Sequence, residues 1–314
     1  MKSVPLGTSS LRTSRMAYGC WRIGGASEHP ELTAEREASG RTALITAYEN
    51  GFRLFDHADV YSDGAGEIIF GKVLKELPEM RKDIVIASKC GIRKAGEPTP
   101  DAPYRYDFSR EHIISSCDRS LKRLNVEQIE LYQLHRPDSL ANPEEVAGAF
   151  ADLKQSGKVR EFGLSNSRPS FLAMLQKFCP MPLIVNQVEI SLMHLAPFTD
   201  GTLDQCVTEK ITPLAWSPLA AGRITSNGAI DLHEPNHAQR LKMRDVLDLV
   251  ARERTSTRMV VALAWLLKHP AGIIPIIGTT NPNRIKESAR AAELDLSREE
   301  WYRLYEAGWG HRLP

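Results

Sequence analysis

Short aliphatic and β-branched runs alternate with segments of helical periodicity along this chain of 314 residues. The strand-then-helix order recurs several times, which is typical of a parallel sheet, because each parallel strand needs a crossover before the next. Eight parallel strands close a (β/α)8 barrel, so we predict an α/β fold of the TIM-barrel type. The predicted strands are residues 15–18, 53–55, 84–88, 129–134, 159–164, 183–188, 212–215 and 273–276.

The segments between these runs carry apolar residues on one helical face. In residues 110–124, Ile113, Cys117 and Leu121 recur at helical spacing, and Ser109 precedes them as a natural N-cap. No repeat, low-complexity tract or linker divides the chain. We therefore expect a single barrel domain over residues 1–314.

Three segments go beyond a minimal barrel. Residues 90–107 form a loop rich in proline and charge, and residues 232–249 form a helical insert before a helix over 258–268. A last helix is expected to start at Ser297, with acidic residues in its first turn, and to lead into an aromatic tail. Long loops on a rigid scaffold often carry function.

An open doubly wound sheet shows the same alternation and is the main alternative. It normally places a GxGxxG turn directly after its first strand. Here the glycine pair of that spacing, Gly64 and Gly66, follows the second predicted strand and lacks the third glycine. A loop leading into a helix over 67–77 explains this pair better, and the barrel is favoured.

Composition excludes several classes of protein. The 40 Lys and Arg residues balance 39 Asp and Glu residues, for a net charge of +1, which does not suit binding to a phosphate backbone. The five cysteines are widely spaced without a CxxC pair, so we expect reduced, mostly buried thiols. The start MKSVPLGTSS has no apolar core, and the longest apolar run, 259–267, is too short for a membrane span. A cytoplasmic location is expected.

Polar side chains end several of the predicted strands. In a parallel barrel these ends meet on one face, where the active site lies. Taken singly, each residue has a plainer explanation as a helix cap or a solvated charge. Taken together, they favour a functional site, because a lysine in such a place needs a carboxylate partner. The residues are Asp56, Lys89, His135, Ser165, Asn166, Gln187, Trp216 and Ser217, with Tyr61 five positions beyond Asp56.

Two other chemistries fit the same residues less well. The run Asp56–His57–Ala58–Asp59 could suggest a metal site, but strand alternation turns His57 away from Asp56, and no HxH or HExxH accompanies it. A Ser-His-Asp hydrolase would need a GxSxG elbow, which the sequence lacks. We therefore predict no metal.

Several motifs resemble those of the aldo-keto reductases, and in particular the bacterial oxidoreductases related to potassium-channel β-subunits. The resemblance covers nearly the whole chain in the order of the family. The motifs are GCW (19–21), FDHADVY (55–61), ASK (87–89), LHRPD (134–138), GKVREFGLSN (157–166), NQVEISL (186–192), WSPLAAGR (216–223) and PIIGTTNPNRI (275–285).

This resemblance implies NADPH-dependent reduction of an aldehyde or ketone to an alcohol. Tyr61 would donate the proton, Lys89 and Asp56 would activate it, and His135 would orient the carbonyl. An ammonium group beside a phenol stabilises the phenolate, so we expect Lys89 to lower the pKa of Tyr61. The alternative is an NADPH-binding sensor or partner-docking module of the channel β-subunit type.

The resemblance also assigns cofactor contacts. Ser165, Asn166 and Gln187 would hold the carboxamide, and Trp216, where many relatives have tyrosine, would stack on the nicotinamide. Arg223 and Arg284 would pair with the pyrophosphate and the 2′-phosphate, respectively. Without an acidic group placed to hold a ribose diol, NADPH is preferred over NADH. Glu287 is the one residue here that argues for NADH. The remaining assigned residues are Trp21, Ser217, Leu219, Gly222, Gly278, Thr279, Thr280, Glu287 and Ser288.

The substrate pocket is expected to have aromatic walls. Tyr18, Trp21 and Tyr61 would contribute, together with the loops 90–107 and 223–235, whose conformations the sequence does not give. Plain packing is the alternative for Trp21. The aromatic residues suggest an apolar or ring-bearing carbonyl substrate, and the sequence gives no oligomeric state.

Overall fold

Twelve short strands and ten helices make up the computed structural model, which describes residues 1–25, 32–226, 228 and 236–313. The strands are β1 (Ser3–Pro5), β2 (Arg12–Ser14), β3 (Ala17–Gly19), β4 (Leu54–Asp56), β5 (Val85–Cys90), β6 (Ile92–Arg93), β7 (Arg105–Tyr106), β8 (Ile129–Leu134), β9 (Val159–Ser165), β10 (Leu183–Glu189), β11 (Thr212–Trp216) and β12 (Ile274–Ile277). The helices are α1 (Ala34–Glu49), α2 (Ala65–Glu76), α3 (Arg110–Leu124), α4 (Pro143–Gln155), α5 (Pro169–Phe178), α6 (Thr202–Thr208), α7 (His237–Glu253), α8 (Arg258–Lys268), α9 (Pro282–Ala289) and α10 (Arg298–Trp309).

Eight of these strands close a barrel, in which β3, β4, β5, β8, β9, β10, β11 and β12 are neighbours in chain order. All the registered pairs between them are parallel. The predicted barrel is therefore confirmed, and each predicted strand overlaps an observed one. The bounds predicted for β8, α3 and α8 agree with those observed.

Four strands outside the barrel were not predicted. β1 pairs with β2 as an antiparallel hairpin, and β6 pairs with β7 inside the loop 90–107. The predicted insert 232–249 begins outside the described residues, and its described part belongs to α7, which continues to Glu253. The part of the loop 223–235 that covers 227 and 229–235 also lies outside them.

Side chains of the barrel strands alternate between the barrel interior and the surrounding helices, as a pleated strand requires. Outward residues such as Phe55, Ile86 and Tyr132 pack under the helices in the main core. Inward residues near the start of the strands form a separate apolar cluster, which includes Leu54, Val85, Leu131, Val185, Leu214 and Ile274. Two or four residues further along the same inward face, the strands carry polar groups.

Capping side chains begin two of the helices at the expected places. The Ser109 side chain accepts a hydrogen bond from the His112 amide at the start of α3. At α10, Ser297 and Glu300 form a capping box, in which each side chain accepts from the backbone of the other.

The β1–β2 hairpin covers the N-terminal end of the barrel. Its Leu6 and Leu11 are buried in the inward apolar cluster. Gly7 joins this hairpin to the barrel: its amide donates to Thr212 Oγ1 at 2.7 Å. Its φ is +55°, and an added Cβ would lie 2.5 Å from the carbonyl oxygen of Ile184. The hairpin closes the end of the barrel opposite the polar residues.

Two glycines inside helices provide a matched test of the packing. At Gly71 in α2, a Cβ would lie 2.8 Å from the carbonyl oxygens of Arg123 and Leu124, whereas at Gly148 in α4 the nearest atoms, from Arg110, are 3.8 Å away. We expect Gly148→Ala to raise the free energy of unfolding by about 0.5–1 kcal/mol, because alanine favours helix. Gly71→Ala should lower it by about 1–3 kcal/mol through overpacking. Urea denaturation measures both, and equal stabilisation by the two substitutions would contradict the close contact of α2 with α3.

Candidate active site

A buried ion pair lies at the centre of the polar end of the barrel. Lys89 Nζ donates to Asp56 Oδ1 at 2.8 Å and to the His57 carbonyl oxygen at 2.7 Å. Gln187 Nε2 donates to the same Asp56 oxygen at 2.8 Å. The Lys89 side chain is 0% exposed and that of Asp56 is 4% exposed. Hydrogen bonds and the opposite charge thus compensate for the loss of water around both groups.

The phenol ring of Tyr61 lies beside this pair. Lys89 Nζ is 4.9 Å from the centre of the ring. The His135 ring meets it edge to face, with 5.7 Å between the ring centres. Tyr61 follows β4 and the short loop 57–60, which is fixed to β5 because the amides of His57 and Asp59 donate to the carbonyl oxygens of Ala87 and Lys89. The structure thus brings Asp56, Tyr61, Lys89 and His135 together.

The electrostatics of these groups differ in one respect from the expectation. Lys89 does act to lower the pKa of Tyr61, but burial outweighs it, and the pKa of Tyr61 lies above its usual value. Burial lowers the pKa of Lys89, and the attraction of Asp56 and then Tyr61 overcomes this, so its pKa is raised. At neutral pH the phenol is protonated and the lysine is charged.

His135 is held in its neutral form. Burial, Lys89 and Arg136 together lower its pKa well below the usual value. Its amide donates to the Cys90 carbonyl oxygen, which fixes the backbone at the end of β8. Its Nδ1 is buried and has no hydrogen-bond partner among the described residues. A neutral imidazole can still donate one hydrogen bond to a substrate oxygen.

Next to these four residues, Asp56, Tyr61, Lys89 and His135, which we call the tetrad, the strand ends of β9, β10 and β11 share a network of hydrogen bonds. Asn166 Nδ2 donates to Ser165 Oγ at 2.8 Å and to the His135 carbonyl oxygen at 3.1 Å. Ser165 Oγ in turn donates to the Gln187 carbonyl oxygen. The Trp216 indole Nε1 donates to Asn166 Oδ1 at 2.9 Å, so the plane of this half-buried ring is fixed. Asn166 has a φ of +55°, a strained conformation that such sites often retain.

The loop after β11 exposes the side chain of Arg223 and leaves Ser217 and Leu219 partly buried. Ser217 and Gly222 both have positive φ values, of +49° and +85°. Arg244 Nη2 donates to the Arg223 carbonyl oxygen at 3.0 Å, which holds the loop against α7. The guanidinium of Arg223 is thus presented from a fixed backbone.

The residues predicted to bind adenosine gather at the start of α9. Gly278, Thr279 and Thr280 are partly exposed and lead into the helix, whose N-cap Asn281 accepts from the amide of Arg284. Arg284 is exposed in the first turn, and Glu287 is partly exposed one turn later. A helix start with accessible hydroxyls and a cation suits a phosphate group.

Ser288 is placed differently from the prediction. It is 0% exposed, and its hydroxyl donates to the Ile285 carbonyl oxygen at 2.7 Å within the same helix. Its side chain is therefore used inside α9 and is not presented with the other residues of this group.

Two aromatic residues expected to line the pocket behave in opposite ways. Tyr18 is fully buried among Phe52 and Phe55, and its hydroxyl donates to the Thr279 carbonyl oxygen. Its position in β3 turns the ring toward the helices, so the prediction of a pocket wall is wrong for Tyr18. Trp21 is 48% exposed, under the guanidinium of Arg22, which excludes plain core packing.

A second buried polar network, which the sequence reasoning missed, lies behind the tetrad. Glu67 of α2 accepts from Ser88 Oγ at 2.6 Å and from Arg123 Nε at 2.7 Å. Asp59 is partly buried, with one carboxylate oxygen out of contact with solvent, and this burial together with the charge of Glu67 raises the pKa of Asp59 to about 7. His57, packed on Phe70 at 4.6 Å between ring centres, has a pKa of about 3 because of burial. Of these residues, His57 and Asp59 belong to the run 56–59, whose polar residues directly after a strand were the sequence feature that could have indicated them.

Other findings concern composition and membranes. All five cysteines are free and buried, as expected. Among the described residues, no group of three or more His, Cys, Asp or Glu side chains could hold a metal ion. No helix in the described ranges combines the length and the apolar character that a membrane crossing requires.

Comparison with known proteins agrees with this geometry. The sequence model of the Aldo/keto reductase family matches residues 15–308. A 6-dehydroglucose reductase of Novosphingobium aromaticivorans is 37% identical in an alignment that covers 98% of this chain and 96% of that protein. An NADH-specific methylglyoxal reductase of Escherichia coli is 30% identical in an alignment that covers 95% of each chain.

A solved structure shows the same architecture. The thermostable aldo-keto reductase Tm1743, crystallised with the inhibitor epalrestat, superimposes with a TM-score of 0.82 at 26% identity, over 98% of this chain and 100% of that one. The chain belongs to the aldo/keto reductase family. It is an oxidoreductase with the (β/α)8 barrel of that family.

The central ion pair predicts a specific pattern of stability. Lys89→Met leaves a buried, uncompensated carboxylate at Asp56, and we expect it to lower the free energy of unfolding by about 3–5 kcal/mol. The double variant with Asp56→Asn removes that charge and should recover part of the loss. Lys82→Met is the control, because the Lys82–Glu79 pair is 70% and 77% exposed and should contribute under about 1 kcal/mol. Chemical denaturation of the wild type and the three variants measures these differences. A double variant no more stable than Lys89→Met would contradict the pairing of Lys89 with Asp56.

Proposed function

We propose that this protein reduces aldehyde or ketone carbonyls to alcohols with NADPH, with Tyr61 as the proton donor. The observation that carries the proposal is the position of the Tyr61 phenol, next to both the Lys89 ammonium and the His135 imidazole. The family relationship supports reduction of a carbonyl group, because the relatives named above are reductases of 6-dehydroglucose and of methylglyoxal.

Each residue of the tetrad has a distinct task in this proposal. The protonated Tyr61 donates its proton to the carbonyl oxygen as negative charge develops there. Lys89 stabilises the phenolate that is left, and Asp56 keeps Lys89 charged and in place. Neutral His135 donates a hydrogen bond that orients the carbonyl. The Tyr61 phenol is protonated at neutral pH, and the charge of Lys89 acts to lower its pKa against the effect of burial, which favours release of the proton in the transition state.

The residues near the tetrad fit a nicotinamide cofactor, which when bound supplies the hydride. Trp216 offers a flat ring fixed by Asn166, while Ser165, Asn166 and Gln187 carry the donors and acceptors that a carboxamide needs. One N–H of Gln187 Nε2 is donated to Asp56, which leaves its second N–H and its amide oxygen to meet a carboxamide. Arg223, Thr280 and Arg284 would meet the phosphates. Trp21, Leu219, Gly222, Gly278 and Glu287 are proposed to border the same cofactor.

The substrate is proposed to be a small carbonyl compound. The Novosphingobium relative is a 6-dehydroglucose reductase, so oxidised sugars belong in the test panel beside aromatic aldehydes and dicarbonyls. The alternative function, a cofactor-binding sensor or docking module, retains the same tetrad. Consumption of NADPH with any carbonyl of this panel separates the two, because a docking module needs no turnover.

The role of Tyr61 can be tested by removing one oxygen atom. Tyr61→Phe should lower the turnover number by about 10²–10⁴ while leaving the dissociation constant of NADPH nearly unchanged. Tyr132→Phe removes a hydroxyl from a buried tyrosine in the main core and should retain turnover. Steady-state kinetics and cofactor titration provide the two measurements, and wild-type turnover in Tyr61→Phe would refute the assignment.

Preference for NADPH is expected to depend on Arg284. A charge-assisted hydrogen bond to the 2′-phosphate contributes about 1.5–3 kcal/mol, so Arg284→Ala should weaken NADPH about 10–100-fold and NADH little. Lys286→Ala removes another exposed cation of α9 and serves as the control. Fluorescence titration with both cofactors measures the effect. Equal losses would show that Arg284 supports the adenine or the loop, and a wild-type preference for NADH would overturn the choice of NADPH.

A further inference from the structure

One cation lies on the aromatic ring of the candidate cofactor site. The guanidinium carbon of Arg136 is 5.5 Å from the centre of the Trp216 indole ring. Arg136 directly follows His135 at the end of β8, whereas Trp216 ends β11, so the contact crosses the mouth of the barrel. The hydrogen bond from the indole Nε1 to Asn166 prevents the ring from turning away. Arg136 therefore covers one face of a fixed ring.

The charge of Arg136 is not neutralised by the nearby carboxylates. Within the described part of the chain, Arg136 forms no ion pair. Arg136 and Trp216 line a cavity of about 300 Å³, and two carboxylate residues, Glu189 and Asp200, line it as well. Glu189 faces His194 at 3.8 Å, and Asp200 accepts from the Thr202 amide at 2.9 Å. The positive charge thus remains available to act on the indole ring and on groups beyond it.

The two redox states of a nicotinamide differ in charge at the ring. The reduced ring is neutral, and the oxidised ring carries a positive charge. An aromatic face attracts a cation, and a second cation on the opposite face is repelled by the first. A ring that already carries a guanidinium on one side therefore discriminates between the two states on its other side.

We propose that Arg136 makes the free face of Trp216 favour the reduced nicotinamide over the oxidised one, and thereby promotes release of the oxidised cofactor. The inference rests on the proposed function, in which Trp216 stacks on the nicotinamide. It gives Arg136 the part of a specificity-determining residue for the redox state of the cofactor, distinct from the residues that meet its phosphates.

A charge series at this position tests the proposal. Calorimetric titration without carbonyl substrate gives the dissociation constants of NADPH and NADP⁺ for the wild type, Arg136→Lys, Arg136→Gln and Arg136→Glu. Both cofactors carry the same phosphates, so phosphate contacts cancel in the ratio of the NADP⁺ constant to the NADPH constant. The ratio should stay near wild type in Arg136→Lys, fall about three- to tenfold in Arg136→Gln, and fall further in Arg136→Glu.

Two controls separate this effect from a general change in charge. Arg168→Gln removes another arginine that lines the same cavity, one that is exposed and has no described contact with the Trp216 ring, and it should leave the ratio unchanged. Because Arg136 is only partly buried, the difference between wild type and Arg136→Gln should shrink at high salt.

The outcomes distinguish the inference from the function on which it depends. A wild-type protein that binds neither cofactor refutes the proposed function. Binding with a ratio that does not follow the charge at position 136, or equal changes for both cofactors, overturns the inference and leaves the function intact. Circular dichroism checks the folding of each variant, and if Arg136→Glu does not fold, the comparison of Arg136→Lys with Arg136→Gln still decides.

Discussion

The burial of one lysine constrains the rest of the active end of the barrel. Lys89 has no exposed surface, and a lysine is kept charged in such a place only by a carboxylate and further hydrogen bonds. Asp56 lies opposite Ala87 in the register of β4 and β5, so Lys89, two residues further on, shares its inward face. A slip of one residue would turn either charge into the apolar layer under the helices. The pair therefore fixes the strand register and positions the groups around Tyr61 with the same contacts.

Much of the fold could be predicted because the barrel places strong demands on sequence. A strand covered on both faces must be apolar almost throughout, and an abrupt polar residue such as Asp56 or Lys89 then marks its end. Helices could be predicted from an apolar face preceded by an N-cap residue, as at Ser109 and Ser297. The hairpin strands β1, β2, β6 and β7 are two or three residues long and lie outside the repeated strand-then-helix order that indicated the equally short β3 and β4. They form because tertiary contacts hold them.

The site was predictable in its residue types and less so in its energetics. The strand ends in the sequence predicted that Asp56 and Lys89 lie together. Whether the pKa of Tyr61 is raised or lowered depends on how the effect of burial compares with that of the Lys89 charge, and only the structure gives the extent of burial. Tyr18 and Ser288 lie in segments whose neighbours are assigned to the site, yet the structure buries both side chains completely, and local sequence does not show this. The Arg136–Trp216 contact joins residues from two distant strands, and no local pattern indicates it. The roles of the individual site residues stay predictions.

The N-terminal hairpin also has a consequence for how this chain folds as it is made. The hydrogen bond from Gly7 to Thr212 joins residues 205 positions apart, and Leu6 and Leu11 are covered by strands from both halves of the barrel. This hairpin therefore cannot complete its contacts until Thr212, 205 positions after Gly7, has been synthesised. Contacts of such long range are slow to form, and until then these leucines are exposed to other chains. A chaperone that binds short apolar segments would find a target here while the later strands that cover Leu6 and Leu11 are still being made.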